Sequence, residues 1–206
     1  TFNTPNSAAL VCLAGVTPYS AGNISDCINE GNVTFNSTGQ IKGTAVAGIA
    51  AYENGTITNC INKGAIYMTG KMFGGRNTLG SISTSAATSS AAPTVAGIVG
   101  YGYSSSGSPF AMENCHNYGK ISYIWSEADG SGTSGRTQVA GVIGSPWGDV
   151  KNCTNSGDIE CNFTYSATTA NHLSYIGGIA GSDYYSKSQG ESCIIDCTNT
   201  GNITVH

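Results

Sequence analysis

Apolar and polar positions along this chain follow one recurring phrase. An apolar residue is followed by two spacer positions, then Cys, any residue, Asn, any residue, Gly, any residue, and Val or Ile. It occurs five times: Ile24, Cys27, Asn29, Gly31, Val33; Ile57, Cys60, Asn62, Gly64, Ile66; Met112, Cys115, Asn117, Gly119, Ile121; Val150, Cys153, Asn155, Gly157, Ile159; and Ile194, Cys197, Asn199, Gly201, Ile203. Two residues beyond each closing Val or Ile stand Phe35, Met68, Tyr123, Cys161 and Val205, separated from it by Thr34, Tyr67, Ser122, Glu160 and Thr204. A period of two marks a strand with one buried face. The Asn-x-Gly before it is turn chemistry, with Asn capping its own backbone or at positive φ and Gly at positive φ without a Cβ clash. On that reading Gly119→Val unfolds the chain, whereas Lys120→Ala does little.

A second phrase reads VAGIAAY from Val46, VAGIVGY from Val95, VAGVIG from Val139 and IGGIAG from Ile176, with an orphan LAGV at 13–16. It is apolar on both faces and rich in Gly, as a strand packed closely on two sides requires. The repeat units start near residues 24, 57, 112, 150 and 194, and the Cys-to-Cys spacings are 33, 55, 38 and 44. Extra residues enter at two places, after the Val/Ile strand and after the VAGI stretch.

Each unit thus holds about three strand-like stretches and a corner, and it cannot bury its inner face alone. Stacked units solve that problem. The expected fold is a single all-β repeat domain over 1–206, a β-solenoid built as a right-handed parallel β-helix of about five coils. A small β-propeller is the competing fold, since its blades repeat at similar length. In a parallel stack, equivalent residues lie ~4.8 Å apart. Cys27, Cys60, Cys115, Cys153 and Cys197 then form one column, Asn29, Asn62, Asn117, Asn155 and Asn199 a hydrogen-bonded second, and Gly31, Gly64, Gly119, Gly157 and Gly201 a third.

The stretch VAGIAAYENGTITNCINKG, Val46 to Gly64, resembles the GLUG-type repeats of bacterial secreted and surface proteins, including large Bacteroidetes surface proteins, and the resemblance covers about residues 10 to 206. It implies a β-solenoid segment of a secreted or cell-surface protein, adhesive in many cases. Ala51 departs from the pattern, replacing the final Gly of the first full copy.

Charge adds mainly exclusions. The 206 residues carry 8 Lys and Arg against 12 Asp and Glu, a net charge of −4 with no basic run, which argues against nucleic acid as a partner. No apolar run has the length of a membrane span. The 8 cysteines lack the paired C-x2-4-C spacing of a zinc site, so no metal or cofactor is expected, and the column cysteines read as small buried hydrophobes. Whether Cys12, Cys161 or Cys193 forms a bridge stays open. Seven Asn-x-Ser/Thr matches follow from composition.

His116, His172 and His206 share no repeat position, the outward column Glu30, Lys63, Tyr118, Ser156, Thr200 gathers no catalytic set, and Asp26 and Asp196 alternate with Asn as turn caps. A non-enzymatic role is expected. Aromatic residues in and near the insertions, Tyr101, Tyr103, Trp125, Trp147, Tyr184 and Tyr185, are candidate ligand contacts, with local core packing as the competing use. Three roles follow: a structural or adhesive module that binds a protein or glycan surface and assembles head to tail or continues into flanking repeats; a glycan-binding module; or, least supported, a solenoid carbohydrate-active enzyme. The chain opens on a VAGI-type half-unit and closes on a Cys half-unit, which motivates the end-to-end expectation.

Overall fold

In the computed structural model the described residues are 1–4, 11–41, 44–72, 93–103, 110–127, 136–164, 173–182 and 193–206. They contain 25 strands and no helix. The second coil shows the plan: Val33–Ile41, Ala45–Ala47, Ala50–Glu53, Thr56–Thr58 and Ile61–Asn62 follow one another and belong to five different sheets. These are numbered first to fifth in that order, and they hold six, five, four, five and five strands. Each strand pairs in parallel with its counterparts in the coils before and after it, so Phe35 lies opposite Met68, Met68 opposite Tyr123 and Tyr123 opposite Cys161. The protein is a parallel β-solenoid of five coils plus one further first-sheet strand, Ile203–Val205. Pairing between successive repeats rules out a propeller, whose strands pair within a blade.

The orphan LAGV is part of a first coil, with Leu13 opposite Val46 and Phe2–Thr4 opposite Phe35–Ser37. Each repeat makes five strands where the sequence suggests three, because two of the expected strands are bent. The VAGI strand is broken at its Gly-Ile step into a second-sheet and a third-sheet piece. The strand leading into the Cys is broken by a residue in the left-handed region: Asp26, Asn59, Asn114, Asn152 and Asp196, with φ between 52° and 55°. Asp and Asn are the side-chain-bearing residues that tolerate that conformation best.

Folding the VAGI segment back on itself layers the cross-section. Val33, Phe35, Ile66, Met68, Ile121 and Tyr123 of the first sheet pack on Val46, Val95 and Val139 of the second. Behind the second sheet, Ala45 meets Ala51, Tyr52 and Tyr101 of the third. On the third sheet's far side, Ala50, Val99 and Ile143 join Ile57, Met112 and Val150 of the fourth. The second and third sheets are therefore covered on both faces, and apart from Tyr52 and Tyr101 the residues between them are small: a Cβ on Gly100 would stand 3.2 Å from that of Ala45, and one on Gly144 would strike Thr94. Thr94 Oγ1 bonds Gln138 Oε1 there at 3.2 Å, and Gln138 Nε2 bonds Ser182 Oγ at 2.6 Å.

The corner glycines differ from the sequence expectation. None has a φ in the left-handed region; the residue before each Cys does. Gly is required instead by close approach of the coil beneath, since a Cβ on Gly64, Gly119, Gly157 or Gly201 would strike the carbonyl oxygen of Gly31, Gly64, Gly119 or Gly157. Gly31, in the first coil, has only Asn29 Oδ1 at 3.8 Å. Gly119→Ala should therefore cost about 3 kcal/mol and roughly 6–12 °C in Tm, while Gly31→Ala should change Tm by no more than about 2 °C. Thermal unfolding followed by circular dichroism decides it, and equal losses would remove the close-approach account.

Candidate functional site: the buried ladder and the aromatic stack

The asparagine column runs unbroken through the solenoid. Asn29 Nδ2 donates to Asn62 Oδ1, Asn62 to Asn117, Asn117 to Asn155 and Asn155 to Asn199, each at 2.7 Å. The second proton of each amide goes to the carbonyl of the corner glycine two residues on, at 2.8–2.9 Å, from Gly31 to Gly201. That carbonyl can only accept, so it fixes which end of each amide is nitrogen and gives the whole column one polarity. Asn62, Asn117 and Asn155 are fully buried. The glycines of the VAGI phrase complete the slot: a Cβ on Gly48, Gly97, Gly141 or Gly178 would collide with Asn62, Asn117, Asn155 or Asn199 of the same coil.

Beside it stands the thiol column. Cys60, Cys115 and Cys153 are fully buried and Cys27 and Cys197 half-buried; all eight cysteines are free. The left-handed residue before each Cys turns its Sγ back to the carbonyl two residues earlier: Ser25, Thr58, Glu113, Lys151 and Ile195, at 3.1–3.3 Å. Cys115, between two other thiols, is held well above the usual thiol range by its contacts with Cys153 and Cys60 and by burial. Burial likewise pushes Cys161, under the first sheet, up to about 12, and raises Cys12. A thiol raised in this way is a poor nucleophile and a poor ligand at neutral pH, whereas the same hydrogen bonds from Cys115 lower its neighbours Cys60 and Cys153. No group of three or more His, Cys, Asp or Glu placed to hold a metal ion occurs among the described residues.

On the surface, Lys63 pairs with Glu30 at 2.9 Å and Lys120 with Glu160 at 2.6 Å, all more than a third exposed. Exposed pairs of this kind add little to stability, because water and salt screen them. Thr200 Oγ1 bonds Ser156 Oγ and His116 Nδ1 bonds Thr154 Oγ1, so these outward columns are also coil-to-coil ladders.

The aromatic candidates separate. Trp125 is 1% exposed and meets Phe163 edge-on at 5.9 Å; it fills the core and is not a ligand contact. Tyr101, 5% exposed, is packed between the second and third sheets and is likewise not a surface residue. Tyr184 and Tyr185 lie outside the described residues. Tyr103 and Trp147 remain half-buried at the surface, with ring centres 5.1 Å apart. They end a four-ring column that the sequence reading missed: Tyr19 stacks on Tyr52 at 5.2 Å and 8°, and Tyr52 on Tyr103 at 6.1 Å. The signal was the equal offset of Tyr19, Tyr52 and Tyr101 from Gly15, Gly48 and Gly97, which predicts the pairing of Tyr52 with both. From the third coil on, the rings come from two residues later, Tyr103 and Trp147, and that step has no sequence signal. Ring faces inside the column are occupied by one another, leaving Tyr19, 45% exposed, with the most open ring.

No protein-family model, no curated protein and no solved structure matches this chain.

The ladder makes a position-dependent prediction. Asn117→Ala removes an acceptor for Asn62 Nδ2 and a donor to Asn155 Oδ1 inside the core, and should cost about 3 kcal/mol. Asn199→Ala removes the acceptor for Asn155 at an exposed coil and should cost about 1 kcal/mol. Urea unfolding of the two variants measures the difference; equal costs would mean that the column is not the element joining the coils.

Proposed function

We propose that this chain is a non-enzymatic structural and adhesive module of a secreted or cell-surface protein, a rod of GLUG-type repeats. The observation that carries the reading is where the repeated polar chemistry goes. The Asn and Cys columns face inward, and each Asn amide is spent on holding its own corner and on joining its coil to the next, so the repeat encodes a length of scaffold. Variable segments enter at two sites of each coil, between first- and second-sheet strands, as from Met72 to Thr94, and between third- and fourth-sheet strands, as from Gly102 to Phe110. A stiff rod with variable outer segments suits display and attachment.

End-to-end association with another copy or with flanking repeats accords with the apolar side chains the outermost coils expose, Val16, Tyr19 and Ile28 on one and Ile194, Ile195, Ile203 and Val205 on the other. The half-buried pair Tyr103 and Trp147 favours a second reading, in which the rod binds glycans through that aromatic surface.

Negative-stain microscopy over a concentration series, a glycan array with wild type and Trp147→Ala, and product analysis after incubation with polysaccharides test these readings together. The first reading expects particles that lengthen along one axis with concentration, and no released product. A wild-type array signal lost in Trp147→Ala selects the second. Compact monomers at every concentration together with released unsaturated or reducing-end product would overturn both.

A further inference from the structure

Glu53 is the one acidic residue among the described ones whose side chain is shut in the interior. It closes the third-sheet strand Ala50–Glu53, is 0% exposed, and neither carboxyl oxygen has a hydrogen-bond partner; Asn54 Oδ1 beside it is buried and unpartnered too. The corner is shaped around it. A Cβ on Gly55 would stand 2.8 Å from Glu53 Oε1 and would also strike the carbonyl of Gly22 in the coil beneath. The same position holds Ser20 in the first coil and Gly102 in the third, so packing at this level calls for a small residue and the glutamate is the exception.

Among the described strands packed around it, no compensating cation is at hand. The strands packed around it, Thr17–Ser20, Val99–Gly102, Thr56–Thr58 and Phe110–Glu113, contain no Lys, Arg or His. Their titratable groups are Tyr19, Tyr101 and Glu113, joined by Tyr103 just beyond and by the Cys60 thiol, and each of these is neutral or becomes negative. An unpaired carboxylate in such a place costs far more than the neutral acid.

We propose that Glu53 is a proton-controlled latch in the second coil: as the neutral acid it lets the corner at residues 54 and 55 close between the coils on either side, and loss of its proton to water opens that corner. Burial pushes the carboxyl up to about 7, and the Ser20 hydroxyl of the coil beneath donates to the Gly22 carbonyl at 3.2 Å and not to the carboxyl. An unfolded glutamate titrates near about 4.3. Because the folded group holds its proton more tightly, its contribution is fully present below about pH 4, falls as pH rises, and is lost above about pH 7. Within that window the folding constant falls by up to about tenfold per pH unit. Neutral pH is thus where the second coil changes from closed to open.

Carbon-13 NMR of glutamate-labelled protein, with the Glu53 signal assigned through Glu53→Gln, reads the titration directly. A midpoint near 7 is expected, and one near 4.3 overturns the latch. Urea unfolding at pH 5 and pH 8 reads its consequence: the wild-type midpoint should fall between the two, and that fall should be absent in Glu53→Gln. Should Glu53→Gln not fold, Glu53→Ser, which restores the residue of the first coil, takes its place. A pH dependence unchanged in the variant overturns the proposal, and so does a wild-type loss at pH 8 that millimolar calcium cancels, since a metal cation and not a proton would then hold the site.

Discussion

Everything in this structure is subordinate to the asparagine ladder. A carboxamide can donate two hydrogen bonds and accept more than one, so it can hold its own corner with one proton and the next coil with the other. Repeating the same amide at the spacing of parallel strands joins the coils through their interior, where the low dielectric strengthens each bond and makes an unmade one costly. The two phrases of the repeat are the two sides of one slot. The corner glycine carries the carbonyl that orients the amide, and the VAGI glycine leaves the space in which it lies. A change at one phrase is therefore felt at the other, although 14 residues separate Gly48 from Asn62 and 20 separate Gly97 from Asn117 along the chain.

The period, the parallel stacking and the membership of the Cys, Asn and Gly columns were legible because each depends only on spacing along the chain. What was illegible depends on neighbours in adjacent coils. A glycine kept for positive φ and one kept because a carbonyl passes close by are the same letter, and only the stacked backbone shows that Gly119 is the second kind while the left-handed turn belongs to Asn114. Likewise Trp125 follows the first-sheet alternation from Ile121 and Tyr123, which places it in the core, yet its nearness to an insertion made it look like a surface aromatic. Alternation was the better guide, because a strand's period continues until its hydrogen bonds stop. Glu53 gave no sign at all, since a glutamate at a strand end ordinarily faces water.

Folding the VAGI segment back on itself changes what the interior can hold. A single-layered coil would leave the outer face of the second sheet to solvent and permit polar residues there. Here that face meets the third sheet across a gap suited to Ala, Gly and Thr, which explains why the segment is apolar on both sides and why its glycines recur. Most of the larger side chains lie in the two outer interfaces, first sheet on second and third on fourth, with Tyr52 and Tyr101 the large rings at the middle one. Insertions enter where a strand leaves one such interface for another, at places where no ladder residue is displaced.

A stack of this kind is nearly one-dimensional: each coil contacts its two neighbours, and stability is a sum of coil and interface contributions. A weak point then has local consequences. The interior coils carry fully buried amides and thiols, whereas Asn199 and the residues flanking Asn29 are exposed to water, so opening should proceed inward from the outer coils. A buried carboxyl at Glu53, one coil in from the first, sits where that opening front first meets fully covered backbone. Its protonation state therefore acts on the boundary between the frayed and the fixed part of the rod, the place where a small free-energy change shifts the most structure.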